Sequence, residues 1–330
     1  MSRLSTKEIW YDARHPPADL KGLPFKDKAV LVTGAHGASL GHNAAVKYAA
    51  LGANPLILAV RSLEKGEQAK AAIMRKTGCS DIFMIEILDL STFASVKDFA
   101  DRITKRVPAL HVVQNSGGVA PWTYAKSPDG YEITTQVSVL STTLLTLLLL
   151  PKLQQTAAIP SPDGYRPHIT FMDSIAIFDI TNEMLPSGQT LIQRCDDESK
   201  WDSIKQYFLI KLATWYAVKG VAELCENSGI IVNATCPGLC KTNVVRDLPL
   251  VYRMFMAARM FFVGRSAEQG SRSLVSATIL GPESHGQFWN NDRYHPMTPF
   301  LESERSAEMC RETWNEIKSI LREHTPAGMI

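Results

Sequence analysis

Tyr207 and Lys211 stand four residues apart in the stretch Ser203–Asn227, whose pattern predicts a helix that puts both side chains on one face. A free phenol has a pKa of about 10 and is a poor base at neutral pH. An ammonium about 4 Å away contributes up to ~4 kcal/mol at an effective dielectric of about 20, roughly three pKa units. That brings a phenol into the range of a general acid/base. Ser174, at the end of an apolar run, could hold a substrate carbonyl oxygen beside it. Taken singly these residues are ordinary. Tyr-x-x-x-Lys arises by chance as an exposed lysine beside a half-buried tyrosine, and Ser174 reads equally as a turn serine.

A second chemistry is written into Ala29–Leu51, AVLVTGAHGASLGHNAAVKYAAL. A short apolar run, a glycine-rich turn and an alanine-rich helix follow one another. Strand, turn and helix in that order present backbone N–H groups to a phosphate at a helix N-terminus. Glycines let the backbone approach a pyrophosphate closely. The candidate cradle is Gly34, His36, Gly37, Ser39, Leu40 and Gly41. Dinucleotide folds place an acid about 20 residues past such a turn, on the ribose 2′-hydroxyl. Here the residue is Arg61, which suits a 2′-phosphate and points to NADP rather than NAD. Asp89 with Leu90 could receive an adenine, or Asp89 and Ser91 could cap a helix. The small residues of Asn115-Ser116-Gly117 could let a ribose or nicotinamide lie on the backbone, or form a plain turn.

The elements that must position these residues alternate along the chain. Strands are expected at Ala29–Val32, Pro55–Val60, Ile82–Leu88, Leu110–Val113, Ile169–Met172 and Ile230–Thr235, with a short edge strand near Gln287–Trp289. Helices are expected between them, at Asn43–Leu51, Leu63–Lys76, Thr92–Arg106, Tyr131–Gln155 and Ser203–Asn227, then at Ser266–Leu280 and Glu304–Glu323. This predicts an α/β protein: a Rossmann-type, doubly wound parallel sheet with helices on both faces. Residues 1–27 read as an N-terminal extension draped on a single domain, 28–330. Two stretches break the rhythm, 175–200 and 242–264, and irregular segments after strand ends are where such folds build sites. They are expected to form substrate lids. Trp122, Phe178, Trp201, Met254, Phe255 and Phe261 lie in segments that could line an apolar mouth, although each could equally be core.

Bulk properties narrow the classes further. With 35 basic and 33 acidic residues the net charge is +2, which gives nucleic acid no basic face. The six cysteines form no Cys-x-x-Cys pair, so no metal site is expected and reduced thiols in the cytoplasm are. The charged N-terminus lacks the apolar core of a secretory signal. Leu144–Leu150 is too short to span a bilayer, which takes about 20 residues, so no transmembrane segment is expected.

Read in order, these motifs resemble the short-chain dehydrogenase/reductase family. The ordered set is Thr33-Gly34 through Gly41, Asp89-Leu90, Asn115-Ser116-Gly117, Ser174, Tyr207 with Lys211, then Pro237-Gly238 and Thr242. Further matching phrases are LILAVRSLEKG at 56–66, DGYE at 129–132, LLTLLLLPKL at 144–153, IIVNATCPG at 230–238 and AEQGS at 267–271. The chain looks closest to the retinol-dehydrogenase-like branch and to fungal biosynthetic reductases. The resemblance covers roughly residues 28–290. It implies a nicotinamide cofactor, here NADP(H), and a catalytic Ser174–Tyr207–Lys211 set acting on a small molecule. It implies that Lys211 grips the nicotinamide ribose, that Pro237, Gly238 and Thr242 contact the cofactor, and that the helix over 131–155 could build a homodimer. The family's fourth catalytic residue, an Asn, aligns with Ser138. Other departures are Ser39 in a glycine's place, one extra residue in the glycine turn, and Asp173 where a small neutral residue is usual. The expected activity is interconversion of a carbonyl and a secondary alcohol. Two rivals stand beside it: an isomerase or cyclase that keeps the cofactor as scaffold, and a non-catalytic NADP-binding module.

Overall fold

The computed structural model describes residues 6–241 and 249–330. In chain order its elements are α1 (Thr6–Arg14), β1 (Val30–Thr33), α2 (Leu40–Ala50), β2 (Leu56–Val60), α3 (Leu63–Thr77), β3 (Phe83–Ile87), α4 (Phe93–Arg106) and β4 (Val112–Asn115). A π-helical stretch, Thr135–Ser141, runs into α5 (Thr142–Ala157), and β5 (His168–Met172) follows. Then come α6 (Leu191–Asp196), α7 (Ser203–Leu224), β6 (Ile231–Cys236), β7 (Cys240–Lys241), α8 (Leu250–Val263), β8 (Arg265–Ser266), α9 (Ala267–Ser276), β9 (Phe288–Asn290), β10 (Arg293–Tyr294) and α10 (Glu304–Leu321).

Eight strands form one sheet in the order β3-β2-β1-β4-β5-β6-β9-β10, parallel except for the β9–β10 hairpin. Val30 pairs with Leu56 on one side and with Val112 on the other, so β1 lies at the point where the strand order reverses. In an open α/β sheet the crevice outside the strand ends at that point is where ligands bind. The central strands are buried on both faces, which is why they read as unbroken apolar runs. One core, built on Phe99, Leu144, Leu149, Phe171, Tyr216 and Ile317, lies beneath α4, α5, α7 and α10. The other, built on Phe25, Ala44, Ala45, Tyr48 and Leu274, lies beneath α2 and α9. The doubly wound architecture expected from the alternation is therefore present.

Segment Thr135–Ala157 is long and apolar enough to cross a membrane, but 78% of its most apolar window is buried in the fold. It is a core helix. It carries Pro151 in its interior.

The N-terminal extension is tied down rather than merely draped. Phe25 is fully buried and sits edge-on to Tyr48. Asp12, at the end of α1, accepts from Arg293 and Asn291 through its carboxylate and from Arg265 through its carbonyl. Arg265 belongs to the two-residue parallel ladder of β7 and β8, which brings together the two stems of the segment 242–264. The stretch 175–200, expected as a lid, carries a 3-10 turn and the capped helix α6, and Ile177, Phe178, Leu191, Ile192 and Cys195 all enter the core. Part of 242–264 is the helix α8, on which Met254, Phe261 and Phe262 are exposed.

Candidate active site

The glycine turn connects β1 to α2 at the reversal point. Gly34 has a φ of 68°, and a Cβ on it would come within 3.1 Å of Gly117 Cα. Gly41, in the first turn of α2, lies so close to β1 that a Cβ would meet the carbonyl oxygen of Thr33 at 2.8 Å. Gly37, with a φ of 58°, stands at the open tip of the turn. Ser39 fills the place of the missing glycine by capping α2: its hydroxyl accepts from His42 N at 3.0 Å and donates to the carbonyl of Gly34 at 2.7 Å. Its side chain is thus committed to the turn, and only its backbone is left to face a ligand. Leu40 is half-buried at the start of α2, and His36 at the tip is engaged with a neighbour.

Thr33 ties this turn to the next strand. Its Oγ1 accepts from the N–H groups of Ser116 at 2.9 Å and Gly117 at 2.8 Å. Gly117 also packs on Leu90, whose Cδ1 would lie 2.7 Å from a Cβ there. The first turn, the Asp89-Leu90 corner and the Asn115-Ser116-Gly117 corner therefore share one floor. Asn115 donates to Thr146 Oγ1 at 3.1 Å, but its Oδ1 and the Ser116 hydroxyl are buried without partners. Buried polar atoms are normally satisfied, so orphans lining a cleft invite a ligand. Asp89 accepts from Ser91 N at 2.9 Å in a tight turn, and the cap of α4 is Thr92, not Asp89 or Ser91. Arg61 lies exposed just past β2, with no acidic partner among the described residues.

The second half of the cleft is built from β5, α7 and the π-helical stretch. The Tyr207 phenol lies close to the hydroxyl of Ser174, which follows β5. Tyr207 is 41% exposed, but its hydroxyl end turns inward toward Ser174 and Cys236. Burial pushes the phenol up to about 12, with the nearby Ser174 hydroxyl opposing that rise. Lys211 Nζ is held elsewhere: it donates to the carbonyl of Met172 at 3.0 Å and lies 4.0 Å from Asp173 Oδ1. Burial in turn raises the Asp173 carboxyl to about 7 against the pull of Lys211. Ser138 sits within the π-helical stretch, with its hydroxyl 3.8 Å from where a Cβ on Gly118 would be. A π turn rotates the residues it contains relative to an α-helix, and here it brings Ser138 beside the corner after β4.

Gly238, after β6, has a φ of 77° and packs on the Arg265 guanidinium. Pro237 is buried beside it, with its carbonyl accepting from the Cys240 thiol. Thr242 lies outside the described residues. Of the apolar residues expected at a mouth, Phe178 is core instead, stacked on His295 at 4.1 Å and edge-on to Phe288. Trp122 and Trp201 are half-buried, and Trp201 meets Tyr124 edge-on.

One cluster had no place in the sequence reading. Glu132, fully buried, accepts at one carboxylate oxygen from the backbone N–H groups of Thr134 and Thr135 and from Gln206. Gln206 also donates to the carbonyl of Cys195 at 2.8 Å. The residue next to Tyr207 thus joins α7, α6 and the start of the π-helical stretch. Its only sequence signals were its adjacency to Tyr207 and the phrase DGYE.

A glycine turn at the reversal point of a parallel sheet, facing a Ser–Tyr–Lys cluster, defines a dinucleotide-type α/β enzyme fold. A family model described as short chain dehydrogenase matches residues 28–159. The short-chain dehydrogenase/reductase ffsI of Aspergillus flavipes is 36% identical over 326 residues, covering 98% of this chain and 94% of that protein. The short-chain dehydrogenase/reductase phmF of Phaeosphaeria nodorum is 36% identical, covering 90% and 87%. The chain belongs to the short-chain dehydrogenase/reductase family of oxidoreductases, which use a nicotinamide cofactor. Among solved structures, an uncharacterised protein of Mycobacterium paratuberculosis superposes with a TM-score of 0.63 at 21% identity, over 93% of this chain and 97% of that one. The NADPH-bound carbonyl reductase from chicken fatty liver gives 0.59 at 18% identity, over 83% and 100%. These likenesses bear on the fold.

Proposed function

We propose that the protein is an NADP(H)-dependent oxidoreductase that interconverts a carbonyl and a secondary alcohol on an apolar, mid-sized molecule in a biosynthetic pathway. The observation that carries this reading is the contact of the Tyr207 phenol with Ser174, one helical turn before Lys211. When bound, the cofactor supplies or accepts the hydride. The residues at the reversal point fit it. Gly34, Gly37 and Gly41 leave bare backbone for the pyrophosphate, and the orphaned Asn115 and Ser116 oxygens offer partners to the ribose half. Arg61 would hold a 2′-phosphate and Asp89 an adenine amino group. The NADPH-bound chicken reductase and a Shigella flexneri short chain dehydrogenase complexed with NADP support the choice of phosphate form.

Ser174 orients the substrate oxygen and Tyr207 exchanges the proton. The phenol carries its proton at neutral pH, as any tyrosine does, and is the group that would donate it to the alkoxide formed in carbonyl reduction. Lys211 steadies the ribose side of the cleft, and Ser138 stands where a relay group would be. The packed stretch 175–200 forms a fixed wall. The exposed Met254 and Phe261 suit an apolar substrate. The six free thiols agree with a cytoplasmic enzyme.

Tyr207→Phe tests the reading. NADPH oxidation and product should be followed together over a panel of apolar ketones. Loss of a positioned acid typically costs roughly 10²–10⁴-fold in rate, and NADPH affinity should barely move. Full activity in Tyr207→Phe would reject the mechanism. Product without net cofactor oxidation would favour the isomerase or cyclase reading.

A further inference from the structure

The exposed apolar side chains are not spread evenly over the surface. Among the described residues every exposed Trp, Phe and Met lies on α1 or α8: Trp10 on the first, and Met254, Phe261 and Phe262 on the second, at 50% to 77% exposure. Tyr11, 54% exposed, stands beside Trp10. The two helices pack against each other, so one surface carries them all. Large apolar side chains scattered singly need no explanation, whereas a contiguous cluster marks an interaction site.

Helical geometry shows which way the cluster points. At about 100° per residue, Arg253, Ala257, Phe261, Met254, Phe262 and Arg259 follow one another around α8, and all are exposed. Met260 falls in the remaining gap, between Arg259 and Arg253, and is buried against the fold. The apolar stripe therefore lies on the side of α8 turned away from the fold, with an arginine on each flank. A helix lining a mouth would turn that stripe inward. The sequence of α8 contains no acid. On α1 Lys7 and Arg14 are exposed, and Arg14 lies over the Trp10 ring at 3.7 Å. Of the acids on α1, Asp12 is held by Arg293 and Glu8 interacts with His295. The chain as a whole is nearly balanced, at +2, so this excess of cations is local.

We propose that α1 and α8 together form a docking face for a bilayer surface that carries anionic lipid. An apolar stripe flanked by arginines is what an interfacial helix needs. The phenylalanine and methionine side chains enter the acyl boundary while the guanidinium groups reach up to the phosphates. Trp10 and Tyr11 suit the same depth, since each joins an apolar ring to a polar tip. With 14 residues α8 is too short to cross a bilayer, so it lies in the interface. A second copy of the chain fits less well: a two-fold contact would set Arg253 and Arg259 against their own counterparts. Docking asks nothing of the chemistry proposed for the cleft. An apolar substrate would nonetheless reach Met254 and Phe261 from this same outer side.

The test is flotation of the full-length protein with vesicles of phosphatidylcholine, with and without phosphatidylserine. The protein should float with the anionic vesicles at low salt and come off as salt rises. Phe261→Ser combined with Phe262→Ser should weaken partitioning about tenfold or more, and so should Arg253→Gln combined with Arg259→Gln. Ile159→Ser, at a residue 61% exposed and outside the face, should change nothing. Trp10 is the one exposed tryptophan among the described residues, so acrylamide quenching reads the face in the unmodified protein. Anionic vesicles should shield it, and Trp10→Phe should abolish the vesicle-dependent part of the signal. A protein that stays off anionic vesicles, or floats equally with neutral ones, would overturn the proposal. So would double variants that float as well as the unmodified protein. A dimer that the Phe261→Ser, Phe262→Ser protein cannot form, with Trp10 left unshielded by vesicles, would overturn it in favour of a second copy.

Discussion

Thr33→Val is a nearly isosteric change at a residue 1% exposed, and it strikes the joint between the two halves of the cleft. Thr33 Oγ1 receives two backbone donors, Ser116 N at 2.9 Å and Gly117 N at 2.8 Å. Valine keeps the shape but puts a methyl group against both. Each buried group left unsatisfied costs about 1–3 kcal/mol. The Ser116 site is fully buried and the Gly117 site only partly, so the sum should fall near 2–4 kcal/mol. That is a large share of the roughly 5–15 kcal/mol by which a domain is stable. Thr33→Ser retains the acceptor and should recover most of the loss. The assay is urea unfolding of all three proteins, with NADPH titration by fluorescence. Because the Asn115-Ser116-Gly117 corner moves with Thr33, NADPH affinity should fall about tenfold or more in Thr33→Val, about 1.4 kcal/mol. A Thr33→Val protein within about 0.5 kcal/mol of the unmodified one, the ordinary range of a surface change, would refute the accounting. So would a Thr33→Ser protein as unstable as Thr33→Val.

Other consequences can be checked alongside it. NADPH should bind at least roughly tenfold more tightly than NADH, and Arg61→Asp should reverse the order; equal affinities in the unmodified protein would contradict the role of Arg61. Ser138→Asn should leave kcat unchanged or raise it, because an amide there could hold a relay water, and a large loss would give Ser138 a role of its own. Burial, helped by Lys76 and His36, lowers His42 to about 4. Between about pH 6.5 and pH 4 the unfolded chain therefore binds more protons than the folded one, and stability falls as pH falls through that window, by up to roughly 3 kcal/mol. Urea midpoints at both ends of the window should show it, and His42→Asn should flatten the slope. Hydrogen exchange should find α8 less protected than 175–200 without ligand and slowed when cofactor and substrate are added; equal protection in both would remove the distinction between lid and wall.

Much of the architecture could be read from the chain because parallel strands buried on both faces leave apolar runs. The errors at strand ends have a common cause. The run Leu110–Val113 was cut short because Gln114 and Asn115 are polar, yet both are buried in β4, where Tyr48 donates to the Gln114 amide oxygen and Thr146 accepts from the Asn115 amide nitrogen. Such pairing is set by other strands and helices and leaves no local trace. Helix α1 escaped notice because it is short and polar and finds its partners, Arg265 and Arg293, at the far end of the chain. That Tyr207 and Lys211 share one helix was legible from their spacing, but the direction of the Tyr207 shift was not. Spacing placed an ammonium near the phenol, and only the fold shows that Met172 and Asp173 claim it first. Asp173 stood out in the sequence as an oddity. Its meaning depends on burial and on an orphaned oxygen, which a string of letters does not carry.

The clip at the base of 242–264 has a consequence for how such a protein can diversify. Cys240–Lys241 and Arg265–Ser266 are paired, and Arg265 is anchored to α1 and to the β9–β10 corner, so both stems of the intervening segment are fixed whatever lies between them. Once the ends are fixed, length is cheap: doubling a flexible loop costs only about 0.6 kcal/mol in closure entropy. Insertions, deletions and wholesale exchange inside the clip are thereby insulated from the sheet and from Ser174, Tyr207 and Lys211. The segment behaves as a cassette. Were this segment the substrate lid proposed above, a lineage, or an engineer, could rewrite what the enzyme accepts by replacing one contiguous stretch of gene, leaving Ser174, Tyr207 and Lys211 in place.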